Sequence, residues 1–145
     1  MLSLWTVKKL SQNCMSNLTK QEVKKSVVYW QTVAKHDYET MVGLFKLKRY
    51  SDSLFYGHLV LEKTLKALVV KNTGAHPKPI HNLSVLAQDA GIDLSKEDRE
   101  FLAEVSKFNI YARYPDYKLS FYKLCNLEYT KPRIEKIKAL FKKLW

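Results

Sequence analysis

Apolar residues recur at steps of three and four through most of this chain, and the breaks in that rhythm divide it into helices. Val23, Val27, Trp30, Ala34, Tyr38, Met41 and Phe45 form one amphipathic face, which predicts a first helix running to about Leu47. Thr19 followed by Glu22 supplies a capping box at its start, each side chain satisfying a backbone donor that the helix leaves free. After a short break at Lys48-Arg49, with Ser51 or Asp52 as the starting signal, the stretch Tyr50–Thr73 carries two or more apolar residues in nearly every turn. A helix apolar around most of its circumference belongs in a core or a membrane. Charges interrupt every run here, and none approaches the ~18 apolar residues of a spanning helix. This stretch is therefore the central core helix, ended by Gly74, a residue able to take positive φ past the last turn.

Beyond it, Pro77 and Pro79 keep the segment AHPKPIHN extended, and Asn82 caps a short helix, Leu83 to Ala90, closed by Gly91. Ser95 with Asp98 starts a fourth helix whose face includes Phe101, Leu102, Val105 and Phe108. It should fray near Tyr111, because Pro115 disfavours helical geometry in the residue before it. Ala112 to Lys123 reads as a Tyr-rich loop. The last helix is expected from near Thr130 with Pro132 in its first turn, the alternative being a start near Asn126 with a kink at Pro132. Ile134, Ile137, Leu140, Phe141 and Leu144 form its inner face. With no strand pattern and no repeat, the class is all-α, an up-and-down helical bundle of about five helices. Residues 1–18 lack a sustained period and read as a poorly ordered extension, with Met15 a candidate alternative start; residues 19–145 form the helical domain.

Composition narrows the setting. At 145 residues this is one domain with room for a real core, and four Gly and four Pro argue against a turn-rich β fold. Cys14 and Cys125 make neither a disulfide framework nor a zinc spacing, and the N-terminus lacks the apolar length and cleavage site of a signal peptide. A cytoplasmic protein that is not exported is expected. The net charge of +11 favours a polyanionic partner such as RNA, a nucleotide or an acidic protein surface. A membrane-surface role fits less well, since the basic helices need their apolar faces for the core.

Two places hold candidate chemistry. On the central helix His58, Glu62 and Lys66 repeat every four positions along one face, with Gly57 offering close approach to another backbone. Burying unpaired polar groups is costly, so the stripe is either a structural network or one wall of a site. The second place is the segment from Phe108 to Tyr117, in which Arg113 stands where a helix gives way to a Pro-stiffened turn flanked by Tyr114 and Tyr117. A guanidinium offers a planar fork for phosphate, and aromatic neighbours can stack on a base or on the Arg. The alternative is an Arg113–Asp116 pair that caps the turn. His58 with Glu62, and His76 with His81, make no three- or four-ligand set, so no metal and no cofactor are expected.

RYSDSLFYGHLVLEKTLKALVV, HPKPIHNL and FNIYARYPDYKLSFYK, in this order and spacing, resemble the HEPN domain family of prokaryotes and higher eukaryotes, over roughly Thr19 to Trp145. The resemblance implies an α-helical bundle, often dimeric, commonly encoded beside or fused to a minimal nucleotidyltransferase, with some such pairs forming toxin–antitoxin modules. It also implies kinship with metal-independent ribonucleases that use an Arg, four to six residues, then a His. This chain departs from that pattern: no histidine follows Arg113 in the window. The expected protein is a HEPN-type nucleotide- or RNA-binding homodimer acting with a nucleotidyltransferase, its site built from Arg113, Tyr114, Asp116, Tyr117, His58, Glu62, Lys66 and His81. The alternatives are a ribonuclease toxin with a rearranged histidine and a structural dimerisation module.

Overall fold

The computed structural model describes residues 17–145, so the expected extension and the Met15 start fall mostly or wholly outside the described residues. Among these there are six α-helices and no strand: α1 Lys20–Lys46, α2 Tyr50–Thr73, α3 Leu83–Asp89, α4 Lys96–Tyr111, α5 Pro115–Leu124 and α6 Leu127–Leu144. The ends follow local chemistry. Thr19 and Glu22 close a reciprocal capping box on α1, Asn82 Oδ1 accepts from the amides of Ser84 and Val85, and Ser95 Oγ accepts from Asp98 N. Gly74, with φ 69°, ends α2 in the left-handed region.

Two expectations are corrected. The stretch expected as a Tyr-rich loop, Ala112 to Lys123, contains α5. Pro115 ends the preceding helix as anticipated, but it also occupies the first turn of a new one, where its missing N–H costs nothing, with extended Tyr114 as the N-cap. The last helix begins at Leu127, not near Thr130. Asn126 caps it by accepting from Tyr129 N at 2.9 Å, and Pro132 then lies inside the helix. The early start, held as the alternative, is the one adopted.

Helix α2 touches every other described helix. Its Leu54, Val60, Leu61 and Leu65 are fully buried and share one core with Met41 of α1, Leu83 and Leu86 of α3, Leu102 and Val105 of α4, and Ile134 and Ile137 of α6. Gly57 does admit a close neighbour, though a side chain: a Cβ there would lie 2.5 Å from Ile137 Cδ1 and 3.3 Å from Met41 Sδ. An ion pair between Lys63 of α2 and Asp37 of α1 and a 2.8 Å bond from Ser53 Oγ to the Met41 carbonyl tie the two longest helices together. Helix α5 is the least embedded, with only Phe121 buried, packed on Phe108 and Tyr111.

Candidate binding groove and its buried polar network

The central stripe is a connected network. Lys66 Nζ donates to Glu62 Oε1 at 2.9 Å, and His81 Nδ1 donates to Glu62 Oε2 at 2.9 Å. His58 Nε2 lies 2.9 Å from the His81 backbone oxygen. A carbonyl can only accept, so Nε2 carries the proton and Nδ1 is left as an acceptor. That Nδ1 is buried without a partner, 3.7 Å from Glu62 Oε2. The far end of the network reaches α1, where Lys66 Nζ sits 5.2 Å from the centre of the Trp30 ring. Four-residue spacing on α2 stacks the three side chains, and the two prolines before His81 bring the loop back over them.

The charges explain themselves by environment. Burial pushes the His58 pKa down, reinforced by the His81 and Arg113 charges and only partly opposed by the bond to the His81 carbonyl and by the Glu62 charge, so the ring is held neutral. Burial pushes the Glu62 carboxyl up, but the hydrogen bonds from Lys66 and His81 and the Lys66 charge outweigh it and hold the group below the usual carboxylate range. Glu62 is thus an anion satisfied from both sides, the condition for tolerating a buried charge.

His81 alone of the network reaches the surface, its side chain about half exposed. With Glu62 holding Nδ1, Nε2 is the ring nitrogen left for other partners. The imidazole borders a groove of about 370 Å³ between the start of α3 and the face of α4, lined also by Asn82, Ser106, Lys107 and Asn109. That size lies within the ~300–1,000 Å³ of small-ligand sites. Ser106 Oγ is fully engaged, accepting from Leu83 N and donating to the Leu102 carbonyl. Lys107 is exposed.

Arg113 stands one turn beyond Asn109. At this end of α4 the Arg113 amide bonds to the Ile110 carbonyl, and the Asn109 carbonyl that a continuing helix would have used accepts instead from Arg113 Nε at 3.1 Å. Among the described residues Arg113 makes no ion pair, with Asp116 or any other acid, so its terminal nitrogens remain available. Tyr114, Asp116 and Tyr117 are exposed at the start of α5, with the Tyr117 ring 5.5 Å from that of Tyr111. No hydrogen bond joins them to the α2 network. The structure therefore brings His58, Glu62, Lys66 and His81 together and sets Arg113 within electrostatic reach of His58, while the three α5 residues form a separate surface. Asn109 escaped the sequence reading. Its one signal there is an amide at a position, four after Val105, where the α4 face calls for an apolar residue.

Among the described residues no group of three or more His, Cys, Asp or Glu is placed to hold a metal ion, and no described helix is long and apolar enough to cross a membrane. The family model described as HEPN domain matches residues 27–144, from the first third of α1 to the end of α6. The chain belongs to the HEPN family. Both the polar network and the groove lie within the matched residues. No curated protein and no solved structure matched the chain. HEPN domains are tied in general to nucleotide- and RNA-related function.

Proposed function

We propose that this HEPN protein binds a nucleotide or RNA in the groove between α3 and α4, as a homodimer working with a minimal nucleotidyltransferase, in the manner of a toxin–antitoxin module. The observation that carries the reading is a half-exposed His81 that lines the groove and is held by Glu62, with an Arg113 that makes no ion pair among the described residues anchored on the carbonyl of groove-lining Asn109. Arg113 and Lys107 offer phosphate contacts, and His81 offers an edge or a face to sugar or base. The dimer is supported by α5, where Tyr114, Tyr117, Leu119, Tyr122 and Leu124 are each about half exposed or more. Aromatics of this kind are enriched at interface cores, and two such faces would set two Arg113 segments around one cleft.

Direct titration of labelled single-stranded RNA tests the binding. Affinity should fall steeply with added salt, as counterions are released on contact, and Arg113→Lys should weaken it because Lys lacks the fork. RNA affinity unchanged by Arg113→Lys and by His81→Ala would move the site elsewhere. Sedimentation at micromolar concentration tests the dimer, and a monomer there ends the shared cleft. Mixing with a neighbouring nucleotidyltransferase tests the partner: Arg113→Glu should weaken a genuine complex.

A second reading, a metal-independent ribonuclease, is favoured by one feature: Glu62 holds Nδ1 of the groove-lining His81 and leaves Nε2 without a partner among the described residues, the arrangement a general acid–base histidine needs. RNA cut in chelator by the wild type, but not by His81→Ala or Arg113→Ala, would place this reading first.

A further inference from the structure

Asn109 is buried to 7% exposure, yet among the described residues its side-chain amide makes no hydrogen bond. Among the described residues only His58 Nδ1 and Thr130 Oγ1 are both fully buried and unpartnered, so the unbonded Asn109 amide atoms keep some exposure, in a residue that lines the groove. Val105 four residues earlier and Phe108 beside it are core residues, and Ser106 three residues earlier spends its hydroxyl on Leu83 N and the Leu102 carbonyl. Asparagine at such a position lowers helix propensity and puts a donor and an acceptor with no partner among the described residues where an aliphatic side chain would bury area. Its backbone carbonyl, meanwhile, is the anchor of Arg113 Nε. One residue thus offers an amide to the groove and fixes the origin of the guanidinium beside it.

We infer that Asn109 reads the edge of a nucleobase in this groove while Arg113 takes the phosphate, with adenine the preferred base; this rests on the nucleotide-binding reading above. A carboxamide presents one donor next to one acceptor and so pairs with a base edge of the opposite pattern. Adenine shows that pattern on two edges, N6–H beside N1 and N6–H beside N7. Guanine shows it at O6 with N1–H, cytosine at N4–H with N3 and uracil at N3–H with O4, but guanine N7 and O6 are both acceptors, so adenine alone offers the pattern on both its Watson–Crick and its Hoogsteen edge.

The test is the affinity of the full chain for AMP, GMP, CMP and UMP by calorimetry at low salt. The wild type should prefer AMP to GMP by about fivefold, the low end for one bidentate base contact. Asn109→Asp presents two acceptors and should turn the order toward GMP, whose N1–H and N2–H form a pair of donors; its charge weakens every nucleotide, so the AMP/GMP ratio is what is read. Arg113→Ala should weaken all four alike. An Asn109→Asp protein that keeps the wild-type order of bases overturns the inference while leaving the groove as the site. If the Asp variant does not fold by circular dichroism, Asn109→Ala decides: a preference flattened to within about twofold supports base reading, and a preserved one overturns it. A wild type that binds none of the four mononucleotides, nor short oligomers of the same bases, removes the inference together with the reading beneath it.

Discussion

Glu62 is the residue on which the polar network turns, because its two oxygens are shared between Lys66 on its own helix and His81 on the returning loop. Removing one partner from a buried ion pair leaves the other charge uncompensated, so Glu62→Gln should destabilise the fold by about 3–5 kcal/mol in urea unfolding. Replacing both charges, Glu62→Leu with Lys66→Met, should cost less than Glu62→Gln alone, since no orphan charge remains. His58 sets the response to acid. The fold holds its ring neutral, whereas the unfolded chain takes up a proton near the ordinary value of 6.5. The unfolded state then binds more protons, so stability should fall as pH drops below about 6.5, until the buried ring protonates as well. Glu62 adds a second loss in the same direction, beginning near its ordinary value of 4.5 and complete once pH passes below its lower folded value. Urea midpoints across this range should show a slope for the wild type, and its upper part should be absent in His58→Asn. Cys125 lies outside this chemistry: buried and pushed up to about 12, its thiol should resist alkylation in the folded protein.

At the level of elements, the helix ends carry much of the specification. Asn126 accepts from Tyr129 N at the start of α6, and Asn126→Ala should cost about 1 kcal/mol, the usual worth of an N-cap, with α6 fraying first in hydrogen exchange. Pro115 both stops α4 and opens α5, so Pro115→Ala removes a punctuation mark between two helices without removing a core side chain. Helix α5 holds to the bundle chiefly through Phe121. Phe121→Ala should cost about 3–5 kcal/mol, as for other buried aromatics, and should raise exchange across residues 115–124 before the rest of the chain. The left-handed glycine end of α2 at Gly74 matters for another reason: the Gly74 carbonyl receives Leu18 N at 2.9 Å, fastening the entry to α1 onto the exit of α2.

Across the whole molecule, net charge and one exposed helix bear on the partners proposed above. With +11 spread over 145 residues, RNA binding should depend strongly on salt, and a plot of log affinity against log salt should lose about one phosphate's worth of slope in Arg113→Ala. In the dimer proposed above the aromatic surface of α5 would form the interface, and Tyr122→Glu, which places a charge in that exposed face, should shift it toward monomer in sedimentation without altering helix content. Arg113 links groove-lining Asn109 to the start of α5, so a partner covering α5 should change nucleotide affinity; a complex with unaltered affinity would separate the two surfaces.

Periodicity and punctuation alone determined the all-α class, the span of the central helix, the capping box at Thr19 and the stops at Gly74 and Gly91, because these depend on side chains within a turn or two of one another. The quoted segments likewise carried the family. The α2 stripe was legible as a row of three, since four-residue spacing fixes a shared face. What closes around it was not: His81 joins Glu62 only because two prolines return the loop across nineteen residues, and a contact of that kind is made by tertiary packing. The same limit hid α5, where Pro115 reads locally as a terminator and becomes an initiator only once Phe121 has Phe108 and Tyr111 to bury against. Arg113 was visible as a guanidinium at a helix end, but whether it would pair with Asp116 or cap the Asn109 carbonyl depended on where α5 sets off. Asn109 drew no notice in the chain, because an unsatisfied amide becomes a signal only when burial and an open groove are both known.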